Sequence, residues 1–372
     1  MGSEDSVSDF TMPQTGSAGP VPIKGRGAAT NREGRFESRR REREDDGWNS
    51  AAEPAPHPDT TIVEERARSI LSRNDSPDIP FDLSINPYRG CEHGCIYCYA
   101  RPTHGYLNLS SGLDFETRLF AKTNAAELLR AELARPGYAC APINIGGITD
   151  PYQPVEQRYR VTRGVLEVLA ECRHPVTVIT KNARVEQDLE LLQDLARDAL
   201  VQVFVSVTTL DNRLASKLEP RASAPHRRLA AIRRLREGGV PVGVMVAPII
   251  PMITDRDLEA ILEAAHEAGA LTAGYVLVRL PHEVKDLFRE WLQLHFPERA
   301  THVMSLIRQM RGGRDNDARF GTRMRGEGPF AQLIQRRFEL ARTRLGLTTR
   351  LAPLARDQFR PPRPASPQGE LF

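Results

Sequence analysis

The chain has no run of 18 or more apolar residues, which excludes a helix able to span a bilayer. Its start, Met1-Gly-Ser-Glu-Asp-Ser6, is acidic and polar and lacks the basic n-region of a secretory signal, so a cytoplasmic location is expected. Cysteine is scarce, five in 372 residues. With no signal peptide, that argues against a disulfide framework. There is no excess of charge of one sign: 51 basic and 48 acidic residues leave a net charge of +3, so the overall balance does not mark a nucleic-acid binder. No second C-x2-C or paired histidines stand ready to complete a zinc site. The 40% of hydrophobic residues is enough for a sizeable core, in one large domain or two smaller ones.

Three of the five cysteines fall within eight residues, Cys91-Glu-His-Gly-Cys95-Ile-Tyr-Cys98. Thiolates so placed can hold three irons of one cubane and leave the fourth iron open, since iron–sulfur clusters are bound by Cys thiolates, usually four. His93 lies inside the loop and His104 just beyond it, so zinc is the alternative ligation. A reducing compartment fits either.

Residues 1–60 are rich in Gly, Ser, Pro and charge, with few apolar residues to bury, and are expected to be disordered. From residue 61 to 283 short β-branched runs alternate with helical periodicity. Strands are expected at Asp82–Asn86, Pro142–Ile148, Pro175–Thr180, Val201–Thr208, Val240–Ala247 and Gly274–Val278. Helices are expected at Asn124–Ala134, Val161–Ala170, Val185–Ala196, Ala224–Glu237 and Asp255–Ala268. Six β-α units imply an α/β fold, an incomplete (β/α)6 barrel with a parallel sheet and right-handed crossovers. Residues 284–347 turn helical and Arg-rich, and 348–372 read as a flexible tail.

In barrels the chemistry sits at the C-terminal ends of the strands. The cysteine loop follows the first expected strand. The second ends in Gly146-Gly147-Ile148-Thr149-Asp150, where two glycines let a cofactor approach the backbone, although Thr-Asp-Pro is also ordinary turn chemistry. The third ends in Lys181, able to neutralise a carboxylate or simply to lie at the surface. The fourth ends in Ser206-Val-Thr-Thr209, which offers hydroxyls. Glu219 and Arg221 read as a surface pair. Tyr97, Tyr99 and Tyr152 stand near this end and are either ligand-facing or packed aromatics.

The segment Ile85-Asn-Pro-Tyr-Arg-Gly-Cys91 through Cys98-Tyr-Ala-Arg101 resembles the signature of the radical S-adenosylmethionine (SAM) superfamily. Ile179-Thr-Lys181, Ser206-Val-Thr-Thr209, Glu219-Pro220, Arg228-Leu-Ala-Ala231 and Gly243-Val-Met-Val-Ala-Pro248 follow one another as in spore photoproduct lyases. The chain thus looks like an uncharacterised bacterial branch related to those DNA-repair enzymes, with similarity over roughly residues 82 to 280. The resemblance implies a radical SAM barrel in which Cys91, Cys95 and Cys98 bind a [4Fe–4S] cluster. It places Tyr97, Gly146, Gly147, Thr149, Lys181 and Ser206 near SAM, with Asp150, or more weakly Glu156, in the acidic role of a Gly-Gly-Glu-like motif. It implies reductive cleavage of SAM to a 5′-deoxyadenosyl radical, fed by a donor such as flavodoxin or ferredoxin. The chain departs from those lyases at Gly147, where they commonly carry a radical-quenching cysteine; Cys140 and Cys172 lie elsewhere.

DNA is one expected partner. Arg308, Arg311, Arg314, Arg319, Arg323 and Arg325 could grip phosphates or form a solvated loop. The terminal Gln368-Gly-Glu-Leu371-Phe372 is similar to peptides that bind the replication sliding clamp. Modification of RNA, protein or a small molecule by radical SAM chemistry is an alternative. A clamp- or nucleic-acid-binding iron–sulfur protein without SAM chemistry is another.

Overall fold

Short β-branched runs alternating with amphipathic segments bury both apolar faces only when the strands lie parallel under a layer of helices. The computed structural model describes residues 20–32, 35–36 and 58–362 and has that arrangement. Its strands are β1 (Thr61–Glu65), β2 (Leu71–Arg73), β3 (Leu83–Ile85), β4 (Tyr88–Arg89), β5 (Arg118–Lys122), β6 (Ile143–Ile145), β7 (Val176–Thr180), β8 (Val201–Ser206), β9 (Val242–Ile249) and β10 (Thr272–Leu277). Its helices are α1 (Leu113–Thr117), α2 (Ala125–Leu133), α3 (Glu156–Tyr159), α4 (Val161–Glu171), α5 (Leu189–Arg197), α6 (Asn212–Leu218), α7 (Pro225–Glu237), α8 (Leu258–Glu267), α9 (Val284–His295), α10 (Pro297–Gln309) and α11 (Gly328–Arg344).

The main sheet runs β10-β9-β8-β7-β6-β3-β2, parallel except for β2, so six parallel strands form the partial barrel. A smaller sheet, β1-β5-β4, lies beside the cysteine loop. Each expected strand and helix of the barrel is present, with ends shifted by a few residues. The short elements β1, β2, β4, β5, α1, α3 and α6 are additional; they are too brief to show a period.

Register divides the sheet into two faces. Ile85, Ile145, Val178, Val203 and Val242 stand side by side, all fully buried, and belong to the core shared with the helices. Burying each contributes roughly 1.5–3 kcal/mol. On the other face Ser84, Asn144, Thr177 and Gln202 are in register, a polar row across β3, β6, β7 and β8. That is the concave face of the barrel.

Both ends of the described chain are tied to the barrel. Within the stretch expected to be disordered, Arg26, Gly27 and Ala28 are buried. Within the expected tail, residues 348–360 cross under the strands. Thr348 N donates to Leu271 O (2.9 Å), Ala355 N to Ala199 O (3.0 Å) and Arg360 N to Cys172 O (2.8 Å). The physical reason is the same at both ends: carbonyls and a carboxylate at the barrel's rims accept from backbone N–H groups, which every residue but proline carries whatever its side chain, so no apolar pattern is needed. Residues 368–372 lie outside the described part.

The open side between the first and last strands is bridged. Leu277 N of β10 donates to Met324 O (3.0 Å), while Asp78, in the β2–β3 turn, accepts from Gly321 N (2.7 Å) and from Arg323 Nε (2.5 Å). No helix among the described residues is long and apolar enough to cross a membrane.

Candidate functional site

The cysteine loop leaves β4 and folds back on itself at the C-terminal rim. Cys91 N donates to Phe115 O (3.0 Å), Gly94 N to Cys91 O (3.3 Å) and Cys98 N to Cys95 O (3.1 Å). Cys91 and Cys95 are buried and Cys98 partly so. Burial pushes all three thiols up; at Cys95 the Glu219 carboxylate adds to this and Lys181 opposes it. Three free thiols on one buried loop, beside buried cations, fit an anionic iron–sulfur cluster.

Arg101 braces the loop from below. Its five N–H groups reach Cys95 O (2.9 Å), Gly94 O (3.0 Å), Ser111 O (3.1 Å), Gly112 O (3.0 Å) and the Glu116 carboxylate (2.5 Å). Both Arg101 and Glu116 are fully buried, and a buried pair is tolerable only when its remaining groups are satisfied. The N-terminal segment completes the set: Gly27 N and Ala28 N donate to Glu116 at 2.9 and 2.8 Å. Nothing in the composition of residues 1–60 pointed to this contact.

Beside Cys95 lies a second buried network. Glu219 accepts from Tyr97 Oη, Arg228 and Thr208 (2.6 Å), and Lys181 Nζ stands 3.4 Å away. Burial opposes ionisation of Glu219, but Arg228 and Lys181 outweigh it and hold the carboxyl well below its usual range. Lys181 Nζ also donates to Ala247 O (2.8 Å) and lies 5.7 Å over the Tyr97 ring. Ser206 ends β8, with its carbonyl accepting from Arg228 (3.0 Å). Glu219 is therefore no surface residue; Arg221 pairs instead with Glu92 (3.2 Å). The missed signal was Arg228. It falls in step with Ala231, Ile232 and Leu235 on the buried stripe of α7, and a buried Arg demands a carboxylate.

At the β6 end the acidic side chains hold backbone and hydroxyl donors. Asp150 accepts from Tyr152 N (2.9 Å), Thr180 Oγ1 (2.7 Å) and Lys181 N (2.7 Å), so its carboxylate ties the β6 turn to the end of β7. Glu156 receives Tyr88 Oη, Thr162 N (3.0 Å) and Arg163 N (3.1 Å), the donors of the first turn of α4. Both acids considered for a ligand's amino group are thus engaged in holding the scaffold. Thr149 Oγ1 donates to Gly90 O (2.8 Å), joining the turn to the cysteine loop. Gly146 has φ +99°, and a Cβ there would lie 2.5 Å from Ile179 O, so only glycine fits. Gly147 O accepts from Tyr99 Oη of the cysteine loop.

The Radical SAM superfamily model matches residues 85–265. An uncharacterized protein of Mycobacterium tuberculosis is 37% identical over 252 residues, which are 67% of this chain and 74% of that one. The chain belongs to the radical SAM superfamily. Its family cofactors are a [4Fe–4S] cluster and SAM. A radical SAM Nalpha-GlyT isomerase of Pseudomonas phage M6 is 26% identical over 190 residues, 50% of this chain and 37% of that one. Spore photoproduct lyase complexed with dinucleoside spore photoproduct superposes with a TM-score of 0.55, covering 76% of this chain and 79% of that one. Its sequence identity is 16%, so that likeness is one of fold.

Proposed function

We propose that this radical SAM enzyme acts on DNA, cleaving or rearranging a bond at a modified or damaged pyrimidine. The observation that carries the radical chemistry is the buried three-thiol loop at the C-terminal rim, with Lys181, Tyr97 and Ser206 beside it. In this reading Cys91, Cys95 and Cys98 hold the cluster; Gly146 shapes the turn beside it, and Gly147 lets SAM approach the backbone. Lys181 offers its ammonium to the SAM carboxylate, in place of part of its contact with Glu219. Arg101 and Arg228 fix the loop and the Lys181 network without touching ligand. When bound, the reduced cluster supplies the electron that cleaves SAM to methionine and a hydrogen-abstracting 5′-deoxyadenosyl radical, chemistry that belongs to the cofactor. A flavodoxin- or ferredoxin-type donor would deliver that electron.

Two findings support DNA. The solved fold that this chain resembles is that of an enzyme complexed with a dinucleoside photoproduct. The sequence motifs at the strand ends follow the order found in that enzyme family. Gly147 stands where those lyases commonly carry a cysteine, so any hydrogen returned to the product comes from another group. The test is anaerobic reconstitution with iron, sulfide, reductant and SAM, followed by incubation with ultraviolet-irradiated DNA. Methionine and 5′-deoxyadenosine should form, and a DNA product should appear only with SAM present. Stoichiometric zinc without iron would overturn the cluster assignment. SAM cleavage with no change in irradiated DNA would overturn the DNA reading.

A further inference from the structure

Lys285, Arg308 and Arg314 line one cavity of about 410 Å³, just past the C-terminal end of β10. Among the described residues the one carboxylate lining it is Asp315, already taken by Arg289 (2.6 Å) and Arg308 (2.9 Å). The acids beside Lys285 are taken too: Glu283 by Arg35 (2.8 Å) and Asp286 by Arg289 (3.4 Å). Lys285 is half-buried and Arg314 exposed, and neither forms an ion pair among the described residues. Two uncompensated cations at one concavity repel each other, a cost that a bound anion reverses.

The walls are held by hydrogen bonds of their own. Arg311, itself buried, donates to Leu277 O (3.2 Å) and Val278 O (2.7 Å). Leu280 N donates to Asn316 Oδ1 (3.2 Å), which leaves the Asn316 amide nitrogen as a further donor at the cavity. Gly313 N donates to Arg308 O (2.8 Å), and a Cβ on Gly313, at φ +82°, would meet nothing within 4 Å, so the backbone there is open to a ligand. The cavity is also tied to the cysteine loop. Glu283 accepts from Ser111 Oγ (3.4 Å). The Ser111 carbonyl accepts from Arg101 (3.1 Å), which donates in turn to Cys95 O (2.9 Å).

We propose that this cavity is a phosphate subsite, taking one backbone phosphate of the strand whose reacting nucleotide lies at the cysteine loop. Ammonium and guanidinium groups are strong phosphate partners, the first as a point charge and the second as a fork. The volume is within the roughly 300–1,000 Å³ of ligand pockets and leaves room for the sugar beside the phosphate. Among the described residues no Phe, Tyr or Trp lines it, so it offers a base no face to stack on. Such a contact positions a strand and carries no sequence. The proposal deepens the DNA reading above and rests on it for the choice of a strand over a small phosphorylated molecule.

The test uses the full reconstituted chain with cluster and SAM. Anaerobic fluorescence anisotropy measures binding of a labelled oligothymidylate over a salt series. It compares wild type with the double variant Lys285→Gln, Arg314→Gln. The control is Arg66→Gln, Arg197→Gln, which removes the same charge from two exposed side chains elsewhere. The double variant should bind at least tenfold more weakly, and its logarithmic salt slope should fall by about 0.7, the value of one phosphate on a single strand. Iron content, SAM affinity and melting temperature should not change. A single methylphosphonate moved along the strand should weaken wild type at one linkage and leave the double variant indifferent to its position. Equal weakening in the control, or a wild type blind to the methylphosphonate, would overturn the subsite. Inorganic phosphate is titrated at matched ionic strength; if it binds wild type alone while the oligonucleotide binds both proteins alike, the assignment to a strand is overturned. The two readings also fail separately. Irradiated DNA processed with equal KM by wild type and the double variant removes the subsite alone. Irradiated DNA untouched by wild type, with the methylphosphonate position still read, removes the repair reading alone.

Discussion

Gly27→Ala should detach the N-terminal segment from the cysteine loop. The added methyl carbon would lie 1.8 Å from Gly94 O and 3.0 Å from Gly94 C, both backbone atoms of the loop between Cys91 and Cys95. Neither can yield unless the loop or the segment moves. If the segment moves, the N–H bonds from Gly27 and Ala28 to the buried Glu116 carboxylate are lost. Hydrogen bonds to a charged group contribute about 1.5–3 kcal/mol each, so the docked state weakens by about 3–6 kcal/mol. At 1.4 kcal/mol per decade, its population relative to the open state falls about 10²- to 10⁴-fold. Limited trypsin digestion reads this directly. Lys24 and Arg26 lie in the segment, and cleavage of a locally opened site tracks the open population. The cluster's visible absorbance should also fade faster in air, because the brace Glu116–Arg101–Gly94 loses one side. Gly164→Ala is the control, since its Cβ would meet only Ala126 Cβ at 3.6 Å. Equal cleavage and equal fading in Gly27→Ala and Gly164→Ala would refute the reasoning.

Replacing Cys91, Cys95 or Cys98 by Ala should abolish iron binding, while Cys140→Ala and Cys172→Ala keep it, as read by iron content after anaerobic purification. Lys181→Ala should weaken SAM at least tenfold with the cluster retained, and an unchanged affinity would remove Lys181 from the site. Glu219→Gln leaves Arg228 and Lys181 buried without their counter-charge and should cost about 3–5 kcal/mol; a melting temperature lowered by less than about 2 °C would contradict this. His174 is buried between Tyr138 and Phe359, and burial lowers its pKa from 6.5 to about 4. The unfolded chain therefore takes up this proton first, so stability should fall by about 3 kcal/mol as pH drops from 6.5 to 4 and stay flat above. His174→Gln should remove that slope from melting temperatures recorded against pH.

The barrel was legible because each of its strands is a β-branched run and each crossover carries a helical period, two signals that do not depend on distant residues. The cysteine loop was legible for the same reason: its three cysteines are local. What sequence reading missed is long-range and polar. Glu116 meets Gly27 and Ala28 across almost ninety residues, and Glu219 meets Arg228 only once α7 folds back on the loop. Asp150 and Glu156 had the right residue type and the right end of the barrel for ligand contact. Whether a carboxylate is free or already holds backbone N–H groups is settled by the turn's geometry, which composition does not carry. The straps failed to show for a further reason: backbone donors dock them, and any residue except proline has one.

The arginine row changes meaning in the same light. Arg308 pairs with Asp315 (2.9 Å), Arg319 with Asp317 (2.9 Å) and Arg323 with Asp78 (2.5 Å). Arg311 is buried on the carbonyls of Leu277, Val278, Thr322 and Arg323, and Arg325 lies over the Tyr275 ring. These five side chains help to fasten the loop that bridges β10 to the β2–β3 turn, while Arg314 is exposed. With a net charge of +3, the overall balance of the chain adds no strong electrostatic pull on a duplex. On the proposed DNA reading, selection would then depend on a base turned out of its stack at the C-terminal rim and not on the duplex backbone. Such an enzyme would bind undamaged duplex weakly and favour sites where the base is already loosened.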